Sequence, residues 1–161
     1  MSLTVRPATP ADAPVVHGFV LALAEYEKLS HEVEAVEADI AKALFGPSPR
    51  LFCDIAEVAG APVGFAVWFY SYSTFTGRHG IYLEDLFVRP TARGRGLGKA
   101  LLAHVASIAV SRGCPRFEWA VLDWNTPALD FYAAMGAKPM SEWTVHRVTG
   151  DALQKLARSC E

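Results

Sequence analysis

Apolar residues recur along this chain in two rhythms, a period near two and a period near 3.6, and their succession predicts its elements. Leu3 to Arg6 reads as a short strand. Val15, Val16, Phe19, Leu23 and Tyr26 follow at helical spacing. Ahead of them, Thr9-Pro10-Ala11-Asp12 supplies a threonine cap, a proline at the first helical position and an acid three residues after the cap. A second helix is predicted over Val36 to Phe45, stopped by the breaker cluster Gly46-Pro47-Ser48-Pro49. Leu51 to Val58 and Val63 to Ser73 are strand-like runs around Ala59-Gly60-Ala61-Pro62, which predicts a hairpin. Gly80 to Val88 reads as a further strand, and a glycine-rich turn leads from it into a helix ending near Arg112. Phe117 to Leu122 is predicted as strand, Thr126-Pro127 opens a helix, and Gly136 closes it. Trp143 to Val148 reads as a last strand, with Asp151 capping a short terminal helix.

This order, β-α-α-β-β-β-α-β-α-β, puts strand–helix–strand units around residues 81–122 and hairpins before them. Parallel and antiparallel pairing must therefore coexist, so the expected class is α/β (α+β), a central mixed β-sheet flanked by helices. At 161 residues the chain suits one sizeable core, and a single domain over 1–161 is expected. The composition, 52% apolar and 20% charged, is that of a globular protein rather than a disordered one. A net charge of −2 offers no basic excess for counterion release, which argues against a nucleic-acid partner. No apolar run reaches membrane-spanning length and strand-like sequence begins at once, so no membrane partner and no leader are expected. Cys53, Cys114 and Cys160 form no close pair and no metal spacing, nor do the five histidines, so reduced thiols, a cytoplasmic location and no metal are expected.

The chemistry concentrates between Ile81 and Leu102. A strand carrying the adjacent acids Glu84 and Asp85 runs into Arg93-Gly94-Arg95-Gly96-Leu97-Gly98-Lys99, which opens a helix. The free N–H groups of a first helical turn and the positive end of its dipole bind anions, and glycines lacking Cβ let the anion approach the backbone. A local cluster of positive charge (Arg89, Arg93, Arg95, Lys99) sits at this turn, as suits a small phosphate ligand. The dinucleotide fingerprint needs two residues between its second and third glycines, and here there is one. A P-loop needs a hydroxyl after Gly98-Lys99, where Ala100 stands.

The turn does match Gln/Arg-x-x-Gly-x-Gly/Ala, and on it the chain resembles the GNAT superfamily of acetyl-CoA-dependent acetyltransferases. Arg6-Pro7-Ala8-Thr9 and the segment from Asn125 through Phe131-Tyr132 to Gly136-Ala137 are similar to further motifs of that superfamily. Tyr82 to Val88 and Ala120 to Asn125 resemble the spermidine/spermine acetyltransferases and, more closely, their thialysine-acetylating relatives. The resemblance implies acetyl-CoA as cosubstrate, with contacts from Phe87, Val88, Arg93, Gly94, Arg95, Gly96, Leu97, Gly98, Lys99 and Asn125. It implies a backbone N–H near Phe87 or Val88 as oxyanion donor, and a homodimer with shared active sites.

Direct acetyl transfer asks for three things. A primary amine, with a pKa of about 10.4, must lose a proton before it attacks; the leaving thiolate gains from a proton donor; the oxyanion needs a hydrogen bond. Simple alternation puts Glu84 on one strand face with Tyr82, Leu86 and Val88, and Asp85 on the other with Leu83 and Phe87. A carboxylate among apolar neighbours is costly without a partner, so at least one should have a task, either in the reaction or in pairing with an arginine to hold the fold. The resemblance makes Glu84 the base, acting through water, and Asp85 the anchor for a cationic amine. It makes Tyr132 the acid for the thiolate; read from the residues alone, Tyr132 could equally be a core aromatic. Glu27, Phe75 and Trp124 fall where polyamine-acetylating relatives contact substrate, and acids with aromatic walls suit a cation. Ser73 and Phe75 replace an acid and a tryptophan of the spermidine/spermine type, which favours a short amine over a long polyamine. A protein lysine, a drug-like amine and a non-catalytic acetyl-CoA sensor are the alternatives.

Overall fold

The computed structural model describes residues 2–159, so Cys160 lies outside the described residues. Contacts group the chain into two compact units, Met1–Leu122 and Asp123–Glu161.

The first unit is built on a five-stranded sheet whose strands lie side by side in chain order, β1 (Leu3–Pro7), β2 (Phe52–Val58), β3 (Ala61–Ser73), β4 (Arg78–Val88) and β5 (Phe117–Trp119). Pairing is antiparallel from β1 to β4 and parallel between β4 and β5, the mixed sheet expected from the element order. The β2–β3 connection is the two-residue Ala59-Gly60 turn, with φ of 51° and 78°. Positive φ at both central positions matches the right-handed twist of the flanking strands. Helices α1 (Ala13–Tyr26) and α2 (Glu37–Phe45) cover one sheet face. There Val16, Phe19 and Leu44 pack with Cys53, Ile55, Phe65, Val67 and Phe87 as one apolar cluster. Helix α3 (Leu97–Ser111) covers the other face, burying Leu97, Leu101, Leu102 and Val105. A polar tie crosses that interface: Asp54 of β2 accepts from Trp68 Nε1 at 2.8 Å and pairs with His104 Nε2 of α3 at 3.0 Å. The N-terminal cap also departs from a plain helix start. Thr9 donates to the Asp12 carboxylate through its N–H and hydroxyl, and the residues Pro10–Asp12 form a 3-10 turn before α1 begins. Arg6 clamps Asp12 at 2.8 Å and Glu57 at 2.7 Å, which holds the Asp12 carboxyl well below the usual carboxylate range.

Strand β4 is not regular. Val67 pairs with Asp85 but the next residue, Trp68, pairs with Leu83, so Glu84 is an extra residue in a β-bulge. The bulge shifts the alternation by one. Leu83 sits opposite Trp68 on the α3 face, whereas Phe87 meets Phe19 on the α1 face. The expectation that Leu83, Asp85 and Phe87 share a face, with Glu84 on the opposite one, is therefore corrected.

In the second unit, α4 (Thr126–Ala134) is capped by Asn125, whose Oδ1 accepts from the Ala128 N–H at 3.4 Å, and it ends ahead of Gly136 at φ 89°. Helix α5 (Gly150–Arg158) follows. Its cap is Thr149 in extended conformation, and Asp151 lies inside the first turn rather than at the cap. The expected strand Trp143 to Val148 does not form among the described residues. A strand is defined by a ladder, and this segment has none; Trp143 and Val145 stand 78% and 84% exposed. For the same reason β5 stops at Trp119 instead of running to Leu122.

Candidate active site

Helix α3 begins on a backbone shaped for an anion. Gly94 and Gly96 both take φ 78°, and Gly96 is the left-handed N-cap of the helix. A Cβ built on either glycine meets no heavy atom within 4 Å, so the concave side of the turn is open. The first intrahelical bond runs from Ala100 N–H to Gly96 O, which leaves the N–H groups of Leu97, Gly98 and Lys99 without helical acceptors. The first turn carries no acid, while Arg95 and Lys99 are exposed beside it. The Leu97 side chain is in the core at 2% exposure, so only its backbone is available to a ligand. These residues fit a pyrophosphate.

Upstream, β4 pairs with β5 only at Ile81, Tyr82 and Leu83. The edge of β4 from Glu84 to Val88 that faces away from β3 is consequently unpaired among the described residues. A strand edge of this kind offers N–H and C=O groups to an extended ligand. Phe87 and Val88 are buried by side chain, at 5% and 9% exposure, and contribute backbone here. The Val88 carbonyl already accepts from Arg93 Nε at 2.9 Å.

The acids lie at the bulge. Glu84 is exposed, and its charge acts on Tyr82, where burial first and then Glu84 and Glu118 raise the phenol. Burial pushes Asp85 up to about 7, with the like charges of Glu84 and Glu27 adding to it. Glu27, the residue that ends α1, is itself raised by burial. No salt bridge joins Glu84 or Asp85 to an arginine among the described residues, so neither holds the fold in that way. Three carboxyls thus act on one another here, a site whose electrostatics favour a positive guest. The bulge had a signal in the sequence: Ile81 and Leu83, then Leu86 and Val88, keep period two only if one residue is inserted between the pairs.

Phe75 is not brought to these acids. It is 96% exposed at the tip of the β3–β4 hairpin, near the Ser73–Arg78 end of the ladder. From Arg78 to Asp85 at ~3.3 Å per residue, that tip lies roughly 20 Å or more along the sheet. The second unit holds Trp124, Asn125 and Tyr132. Trp124 is 48% exposed and Asn125 is buried at 7%. Tyr132 lies two helical turns beyond Asn125 on α4, half-buried, with its ring 5.4 Å from that of Phe131. Tyr26-Glu27 falls where polyamine-acetylating relatives contact substrate, but the sequence does not foretell that the Tyr26 ring lies 4.9 Å beneath the Arg93 guanidinium.

A mixed sheet with a split β4 edge, a bulge, and a glycine turn opening the following helix defines an acyltransferase-type fold. The solved structures agree. An integron cassette protein from the mobile metagenome of V. cholerae superposes with a TM-score of 0.82 at 29% identity, covering 99% of each chain. The aminoglycoside acetyltransferase AAC(6')-Iy shares the fold with a TM-score of 0.77 at 20% identity, over 93% of this chain and all of its own. Residues 19–137 match the acetyltransferase (GNAT) family, and the chain belongs to it. Among curated relatives, thialysine N-epsilon-acetyltransferase of Sus scrofa is 39% identical over 97% of this chain and 98% of its own length. The L-ornithine N5-acetyltransferase NATA1 of Arabidopsis thaliana is 32% identical over 94% and 86%. The protein is an N-acetyltransferase, and its family takes the acetyl group from acetyl-CoA.

Proposed function

We propose that this enzyme acetylates the primary amine of a short cationic molecule, a thialysine-, ornithine- or diamine-like side chain, with acetyl-CoA as donor. One observation carries the choice of acceptor: at the bulge, burial and the like charges of Glu84 and Glu27 together raise Asp85, one strand-end away from the anion-binding turn. The curated activities named above, on thialysine and ornithine, support a short amine. The net charge of −2 supports a small molecule over a nucleic acid.

Acetyl-CoA, when bound, supplies a thioester carbonyl open to attack by an amine. Gly94 to Lys99 hold its pyrophosphate through backbone N–H groups and the positive helix end, and the free edge at Phe87 and Val88 takes its pantetheine arm. Asp85 and Glu27 hold the incoming ammonium. Its arrival draws the Asp85 pKa back down, because an opposite charge favours the ionised carboxyl. Glu84, exposed at the bulge, receives the amine's proton through water, and Tyr132 donates one to the departing thiolate, with Asn125 beside the cosubstrate and Trp124 on the acceptor. The family match, residues 19–137, crosses from the first compact unit into the second, which supports one catalytic domain over 1–161. We assign no metal to the reaction, because direct transfer to an amine needs none. The same reading makes the enzyme a cytoplasmic homodimer, in keeping with free thiols at Cys53 and Cys114 and with the bare hairpin tip at Phe75.

The test is a panel of thialysine, lysine, ornithine, putrescine, spermidine and an aminoglycoside, followed by release of free CoA. Highest kcat/KM on the amino-acid amines is expected. Preference for spermidine or the aminoglycoside would overturn the short-acceptor assignment, and release with none of them would overturn the small-amine reading.

A further inference from the structure

Arg93 is the first residue of the anion-binding turn, yet its side chain is directed elsewhere. Its Nε donates to Val88 O at 2.9 Å, at the end of β4. Its guanidinium carbon lies 4.9 Å from the centre of the Tyr26 ring and 5.6 Å from that of Phe87. Arg89 does the same at the preceding position of the helix stripe, 4.8 Å from the Phe19 ring. Phe19 and Tyr26 are seven residues apart, two turns of α1, so two arginines from the β4–α3 connection grip one face of that helix. The last turn of α1 contains no basic residue of its own, and Arg93 brings a cation to its negative end. The residue immediately after Tyr26 is Glu27, whose charge acts on Asp85. A continuous physical path therefore runs from the glycine turn through the Arg93 guanidinium and Tyr26 to the acceptor carboxyls.

Resting on the acetyl-CoA and amine reading of the site, we propose that Arg93 is a positioning residue that clamps the end of α1 to the cofactor turn and so sets Glu27 against Asp85. Filling the turn then orders the acceptor side, and loss of the clamp weakens the amine's own binding more than CoA's. The paired variants Arg93→Met and Tyr26→Met, alone and together, test it, since each removes one half of the stacked contact while keeping apolar bulk. Each single variant should raise the KM for thialysine about threefold, the scale of a solvent-exposed cation–π contact, with kcat little changed. The double variant should raise it by less than the product of the two single effects, because the Arg93–Tyr26 contact is lost only once. Additive effects, or a raised CoA Kd in Arg93→Met with the amine KM unchanged, would overturn the clamp and leave Arg93 a phosphate ligand.

Hydrogen exchange supplies a readout that needs no acceptor. CoA should slow exchange at residues 26–28 in the wild type and not in Arg93→Met; equal response in both overturns the proposal. A wild type that binds no CoA by calorimetry would instead overturn the underlying assignment of the turn, which separates the two failures.

Discussion

A carboxyl held near neutrality by burial and by two neighbouring acids is a thermodynamic cost that the fold carries for its ligand. Asp85 has a folded pKa of about 7 against an ordinary value near 3.8. Between those values the unfolded chain has released the proton and the folded chain has not. Folded protein then binds more protons, so stability falls as pH rises from about 4 to about 7 and stays low above. Asp85→Asn removes the titration. The variant should melt at nearly the wild-type temperature at pH 4 and several degrees higher at pH 8, each kcal/mol being worth about 2–4 °C at this size. Melting curves at the two pH values decide it, and a gap that is larger at pH 4 would refute the sign. The same variant should lose acceptor affinity, since an amide cannot neutralise an ammonium. Tyr132 makes a separate claim. As proton donor to the thiolate, its replacement in Tyr132→Phe should lower kcat about a hundredfold or more while the CoA Kd is unchanged. Equal loss of affinity and turnover would return Tyr132 to a packing role beside Phe131.

At the level of elements, the glycine turn and α3 act as one device. Gly96 occupies a left-handed N-cap, a conformation that costs an L-residue with a Cβ roughly 1–2 kcal/mol. Space is not the obstacle, because nothing lies within 4 Å of a Cβ there. Gly96→Ala should therefore weaken CoA binding about tenfold by calorimetry, through strain and through a methyl placed in the anion's path, and Gly96→Asp should weaken it further by repulsion. Affinity unchanged in both variants would show that the anion binds elsewhere. This device was legible in the sequence because glycine spacing reports backbone conformation directly, and hydrophobic rhythm likewise placed α1 to α4 and β1 to β4. The rhythm misleads where it slips. One inserted residue at Glu84 reverses every face assignment across it, and the odd step from Leu83 to Leu86 was the sole trace. The grip of Arg93 on Tyr26 left no trace at all, for contacts between residues 67 positions apart have no local signature. The α5 cap is Thr149 and not Asp151; both are cap formers two residues apart, and the spacing alone does not separate them.

Over the whole molecule, the unexplained surface is apolar and lies in residues that the sequence marks for a strand. Trp143 and Val145 are 78% and 84% exposed, with Met140 at 63% and Val148 at 46% around them. On α5, Leu153 and Leu156 stand three residues apart on one helix face and are 48% and 58% exposed. Surfaces this apolar are rare on monomers and mark contacts. The segment adds a second reason, because a strand-patterned run that has no ladder among the described residues is a template for pairing with another chain. Closed two-fold symmetry is the common outcome for identical chains and lets each copy cover the other's exposed segment. The expected result is a sedimenting mass of about 35 kDa, twice the 17.5 kDa of one chain, at micromolar concentration. Replacing both exposed residues, Trp143→Ser with Val145→Ser, should return the mass to that of one chain while the melting of the isolated fold changes little, because neither side chain is buried within it. Activity on the amine should fall with the dimer if the hairpin tip at Phe75 serves the partner's acceptor site, and Phe75→Ala should then raise the amine KM without altering the mass. A wild type sedimenting at 17.5 kDa would remove the dimer, and with it any part for Phe75 in the acceptor site.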